Sequence, residues 1–339
     1  MKNRQAAKTR KLVFIIVLIV ITVAVFLVSI SIGRFSIAIK DIVHVLLGQT
    51  SGVPKNILAV LLNVRIPRTI GALLVGMALA CSGAAYQSLF RNPMASPDIL
   101  GAASGAACGA SIGILLLWSD PAVQLISFAF GIMAVFFTYI LSRIVGKGHS
   151  TIMLILIGMV ISSFFTAIIS MTKYFADIDN QLPSITFWLM GGLTNVKMED
   201  LKVVAPIILV GVLALNYKRW DLNILSFGDD EARAMGIDVH RTRLLIIVLS
   251  TFISSAAISI CGLVGWVGLI IPHSARLISG SNYKTMLPVA TLLGGIYLML
   301  MDDIARNALP IEIPLGILTA LIGAPFFIYL LFKGHYFED

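Results

Sequence analysis

The sequence predicts an all-α polytopic membrane protein of about ten transmembrane helices, and three observations carry that prediction. Of 339 residues, 58% are hydrophobic and only 12% charged, roughly half the charge of an average soluble domain. Apolar runs of ~20 residues, long enough to cross a bilayer, recur along the whole chain. The Lys and Arg between them are distributed unevenly, as expected when basic residues stay on the inner side of a membrane. A mean hydropathy of +0.96 leaves too little polar surface for a soluble enzyme. The net charge of +8 would suit nucleic acid in a soluble chain. In so apolar a chain it reads as basic helix ends, and no nucleic-acid partner is expected.

A basic head, Lys2 to Lys11, precedes the first apolar run at 12–32. That run is too long for a signal-peptide core and lacks a small-x-small cleavage site, so it is expected as a retained membrane helix. Further spans are expected at 67–89, 98–118, 122–145, 150–173, 201–217, 243–262, 266–280, 285–304 and 314–333. The segment 266–280 is short and broken by Pro272, which also suits a re-entrant element. Ten spans put both termini on one side. With the N-terminus inside, 16 of the 25 Lys and Arg lie inside and nine outside, so both termini are expected in the cytoplasm of a multi-pass cell-membrane protein. The chain reads as one transmembrane domain, 1–339, with a basic tail at 1–11 and a polar loop at 221–241. Two outer loops, 33–64 and 174–200, are long enough to hold structure. In the second, the stretch Trp188–Gly192 is expected as a short interfacial helix.

Three features stand out as candidate functional residues. Gly101, Gly105, Gly109 and Gly113, four apart, share one ridge of the third span. Small residues on a ridge let another helix backbone come close, so the ridge suits a helix–helix seam or the lining of a pathway. The loop 221–241 holds five of the 17 acids alongside Phe227, Ala232, Ala234 and Met235. Ser226 with Asp229 fits a helix-opening cap, Gly236 a helix stop, and Asp238 the cap of the next span. A short amphipathic helix follows, with apolar residues that suit a partner. Arg65 and Arg68 flank Pro67, which fits a first helical turn. The two guanidiniums suit the carboxylates of a partner or the membrane interface. Arg306, near Asp302 and Asp303, carries the same alternatives beside a local ion pair.

Catalytic chemistry is not indicated. There is no phosphate loop of the GxxxxGKS or GxxxxGKT kind, no HExxH, and no complete intramembrane-protease signature. Cys81, Cys108 and Cys261 lie in apolar stretches without a CxxC pair, and His44, His149, His240, His273 and His335 are scattered. No metal site or cofactor is expected. An ion-coupled transporter would carry acids at mid-span. The nearest, Asp98, Asp302 and Asp303, are expected close to span ends.

Five separated segments together resemble one family. They are Arg65-Ile-Pro-Arg68 through Gly76; Gln87 through Arg91-Asn92-Pro93 to Asp98 and Gly101; Gly228-Asp-Asp-Glu231-Ala232-Arg-Ala234-Met-Gly236; Gly265-Trp-Val-Gly268 to Pro272-His273-Ser-Ala-Arg276; and Pro314-Leu-Gly316 to Gly323-Ala-Pro325-Phe326. In order, they are similar to the signatures of the iron-siderophore and cobalamin permease family of ABC importers, over about residues 35–333. The resemblance implies the type II importer permease fold and a homodimer, or a heterodimer with a second permease. It implies ABC ATPase subunits that dock on a cytoplasmic coupling loop, here Ser226, Phe227, Gly228, Glu231, Ala232, Ala234, Met235 and Gly236, and no ATPase activity in the chain itself. It also implies an extracytoplasmic substrate-binding protein whose acidic residues meet Arg65, Arg68 and Arg306. Iron(III)–siderophore is the implied cargo, with cobalamin, haem and molybdate as alternatives. The rival from another class is an ion-coupled secondary transporter. Two departures from the family pattern are the segment after Trp188 and the doubled acid Asp302-Asp303.

Overall fold

The structure, a computed structural model, describes residues 2–35, 37–49, 53–146 and 151–335. Lys147, His149 and the first residue of the span expected at 150–173 lie outside them. Every expected span coincides with a helix. α1 (Lys2–Ser31) continues through the expected basic tail. Two short helices, α2 (Ile39–Leu46) and α3 (Lys55–Val60), precede α4 (Ile66–Leu89). Then come α5 (Ala102–Leu115), α6 (Asp120–Val145), α7 (Thr151–Phe175), α8 (Gln181–Met190), α9 (Met198–Tyr217), α10 (Arg219–Leu225) and α11 (Asp229–Ala234). α12 (Val239–Cys261), α13 (Val267–Ser279), α14 (Tyr283–Asn307) and α15 (Leu315–His335) complete the chain. No strand occurs among the described residues.

Six helical stretches are long and apolar enough to cross a bilayer. α5 and α13 have only 14 and 13 residues. At 1.5 Å per residue they reach about 20 Å, short of the ~30 Å hydrocarbon core. Large exposed side chains such as Val20, Phe136 and Ile152 suit lipid, which asks only that backbone polar groups be paired internally.

α4 is the central helix, packed by α14, α12, α13 and α9. Its small residues make this possible: a Cβ on Gly76 would overlap the Gly294 backbone, and one on Gly83 the Gly268 backbone. Without hydrophobic drive between helices in lipid, such close van der Waals contact is what holds them.

Two expected boundaries move. Pro67 sits in the first turn of α4 as expected, but the chain is already helical before it. Lys55–Leu89 is one continuous helical stretch, and a π turn at Leu61–Arg65 adjusts the ladder just ahead of the residue that cannot donate to it. The helix expected at Trp188–Gly192 is instead α8, which starts at Gln181 and stops before Gly191. That glycine has φ +71, a conformation that needs no Cβ.

Candidate functional site: an interrupted-helix cavity between two polar ends

The expected glycine ridge divides. Gly105 and Gly109 lie against α6: a Cβ on Gly105 would come within 2.5 Å of the Phe130 carbonyl oxygen, and one on Gly109 within 2.6 Å of that of Ile126. Gly113 meets Val123 of the same helix. Gly101 is not part of the ridge. It caps a 3-10 turn, Pro97–Leu100, at φ +88 and faces Ser162 of α7.

The other face of α5, Ala103, Ser104 and Ala107, lines a cavity of about 510 Å³. Two segments outside the α-helices border it, the entry to the 3-10 turn at Ser96–Asp98 and the non-helical Leu263–Trp266. Non-helical backbone at membrane depth is tolerated only where protein covers it or water reaches it. Interrupted helices at that depth are the usual frame of a transport site. From α7 the cavity receives Ser162, Thr166 and Ser170, four apart, with Lys173 beyond them. This hydroxyl stripe escaped the sequence reading, although its spacing of four was there to be counted. Asp98 stands in the 3-10 turn just before α5, exposed on the cavity wall. Its neighbour Ile99 has its carbonyl against Gly158, seven residues into α7, about 10 Å from that helix's start.

At one end of the bundle, Arg65, Arg68 and Arg306 are all buried. The Arg68 guanidinium grips Asp302, with Nε 2.9 Å from Oδ1 and 3.0 Å from Oδ2. Its Nη1 donates to both oxygens of Glu312 at 3.1 and 3.0 Å. Arg306 pairs with Asp303, which also accepts from the Ser29 hydroxyl at 2.6 Å. Arg65 donates to the carbonyl oxygens of Ile30, Ser31 and Phe35. Exposed Arg34 donates to the carbonyl oxygens of Arg306, Leu309 and Pro310. The cluster joins α1, α4, α14 and the segment before α15. The three arginines expected to face a partner are instead paired inward in this conformation. A charge taken out of water needs a partner wherever it sits, and these found theirs within the chain. Glu312, the half-exposed member, was missed because nothing local marks a residue 244 positions from Arg68.

At the other end, α11 is a six-residue helix, Asp229–Ala234, with three acids in its first turn. That placement favours its positive N-terminal end. Ser226 does not cap it. It is the C-cap that follows the preceding helix, α10, and its hydroxyl donates to the Asn223 carbonyl oxygen. Gly228, at φ +145, takes the cap position. Gly236 ends the helix as expected: its N–H donates to the Arg233 oxygen and that of Ile237 to the Ala232 oxygen, the two bonds of a Schellman stop. Asp238 caps α12, accepting from the Arg241 N–H at 3.0 Å. Ala232 is fully buried, Phe227 and Met235 are exposed, and Arg243 of α12 holds Asp229 at 2.8 Å. The result is a short helix fixed to α12 with two large apolar side chains presented outward.

The FecCD transport family matches over residues 19–333. The molybdate import system permease protein MolB of Haemophilus influenzae is 38% identical over 328 residues, covering 95% of this chain and 96% of that one. The cobalamin import system permease protein BtuC of Halobacterium salinarum is 38% identical over 286 residues, covering 83% and 75%. A solved metal-chelate type ABC transporter in an inward-facing conformation superposes with a TM-score of 0.85 at 36% identity, covering 94% of this chain and 99% of that one.

Proposed function

Because the chain belongs to the FecCD transport family and is a permease of an ABC importer, we propose that its cargo is a metal chelate, above all an iron(III)–siderophore complex. Cargo passes through the cavity bordered by the two interrupted segments, and that cavity is the observation that carries the reading. Two chains, or one chain and a second permease, pair to close the pathway. The α7 hydroxyls Thr166 and Ser170, exposed on the single chain, support this.

ATP is hydrolysed by separate ABC subunits that seat on Phe227, α11 and Met235 in the cytoplasm, where both termini also lie. The chain itself does no covalent chemistry. For ATP to drive transport, the ATPase must hold α11 differently in its two nucleotide states, because a partner with equal affinity for both shifts nothing. A substrate-binding protein docks outside, over Arg65, Arg68 and Arg306. There, four guanidiniums, counting Arg34, stand against the three carboxylates of Asp302, Asp303 and Glu312. The surplus positive charge draws an acidic surface. The buried guanidiniums reach it only by exchanging an internal carboxylate for a partner's.

A second reading, molybdate, is favoured by the 38% identity to MolB over nearly the whole chain. Uptake of labelled ferric siderophore and of molybdate by cells with and without the gene separates the two. Loss of siderophore uptake alone supports the first reading. Loss of molybdate uptake alone moves the assignment to the second.

A further inference from the structure

A cleft of about 260 Å³ lies beside α11, between α6, α7 and α12. It lies outside the pathway and shares the Arg243–Asp229 pair with α11. Two of its buried donors lack an acceptor, and a third donor, Arg143, stands exposed at its edge. The Tyr139 hydroxyl and the Arg243 Nε are buried without a hydrogen-bond partner. Arg143 has no carboxylate partner among the described residues and lies 5.9 Å over the Tyr139 ring. Arg243 is nearly enclosed, its side chain 12% exposed, so bulk water does not serve its free N–H.

The acids of the cleft are already matched. Asp229 is held by Arg243 at 2.8 Å and Asp238 by Arg241 at 3.1 Å. Arg233, also on the wall, pairs with Asp230 at 3.0 Å. What remains over is positive charge and unpaired donors. Buried polar groups are seldom left in that state unless an ion or ordered water completes them. The cleft is several times the ~30 Å³ that one water occupies. Exposed Ile144, Val145 and Ile152 flank Arg143, so the opening sits where the lipid-facing surface ends.

We propose that this cleft binds a phosphate-class oxyanion, its oxygens accepting from Tyr139, Arg143 and the Arg243 Nε. The headgroup of an anionic phospholipid and free inorganic phosphate share that chemistry, and basic pockets at helix ends are suited to the former. The site adjoins the helix we assign to coupling, but the inference does not depend on that assignment.

The test uses the full chain in phosphatidylcholine nanodiscs. Phosphatidylglycerol is added in one arm and inorganic phosphate in the other, with thermal unfolding and native mass spectrometry as readouts. We expect phosphatidylglycerol to raise the unfolding temperature and remain bound. Arg143→Gln should weaken this about tenfold, the loss of one charge-assisted hydrogen bond. Arg143→Lys, which retains the charge, should recover part of it and shows that the loss is not misfolding. The same pattern with inorganic phosphate supports the site and assigns it to a free anion. If neither ligand binds wild type more tightly than Arg143→Gln, the cleft is filled by water and the proposal is overturned.

Discussion

Gly76 of α4 and Gly294 of α14 face each other so closely that a Cβ on either would overlap the other's carbonyl oxygen. Backbone, unlike the end of a long side chain, cannot step aside. Gly294→Ala should therefore destabilise the chain at the upper end of the about 1–3 kcal/mol typical of overpacking, or beyond it. Gly265→Ala meets nothing within 4 Å and should unfold like wild type. Thermal unfolding of the two variants in detergent checks this; equal midpoints would mean that the α4–α14 seam can open without cost.

The Arg68–Asp302 pair is buried on both sides. Removing one partner leaves an uncompensated charge, which typically costs about 3–5 kcal/mol. Arg68→Met should show a loss of that order by chemical unfolding. Arg68→Met with Asp302→Leu, which removes both charges, should recover a large part of it. If the double variant is no better than the single, the pair's role is something other than mutual neutralisation.

The same pair shows where sequence stops being legible. The ten long helices were readable because each is a local apolar run and lipid enforces that pattern residue by residue. Gly236 and Asp238 were readable because a helix stop and a cap are set by the chain within four residues. Arg68 and Asp302 are 234 positions apart, so the sequence offered a surface arginine where the fold provides a buried ion pair. Ser226 misled for a different reason: its spacing to Asp229 is right for a cap, but α10 runs on through Leu225 and takes the residue for its own end. The 3-10 turn at Pro97–Leu100 was missed because its residues continue the apolar run that α5 completes.

Glu312 gives the arginine–carboxylate cluster a pH dependence. Burial works against its charge, but the neighbouring Arg68 guanidinium, together with the Thr194 hydroxyl at 2.8 Å, more than offsets this. Its carboxyl is held below the ordinary 4.5. The unfolded chain thus takes up the proton at a higher pH than the folded one. The stabilising contribution is complete above the ordinary value and disappears as pH falls through the folded value. Between about pH 5.5 and about pH 3.5, wild type should lose more of its unfolding temperature than Glu312→Gln does. Parallel curves for the two proteins would remove Glu312 from the account.

Gly236 offers the sharpest test of α11. Its φ of +81 is closed to proline, and its N–H makes one of the two bonds that end the helix. Gly236→Pro therefore breaks the stop twice over, through geometry and through the missing donor. Gly236→Ala keeps the N–H and meets no neighbouring atom within 4 Å, so it pays only the left-handed conformation, about 1–2 kcal/mol. The membrane spans are held by seams far from this loop, and both variants should insert and purify like wild type. If α11 transmits the ATPase's work, Gly236→Pro should abolish ATP-driven uptake in proteoliposomes and weaken capture of the ATPase subunits, and Gly236→Ala should do so only in part. Full transport by Gly236→Pro at normal expression would show that the ATPase takes its hold elsewhere on the chain.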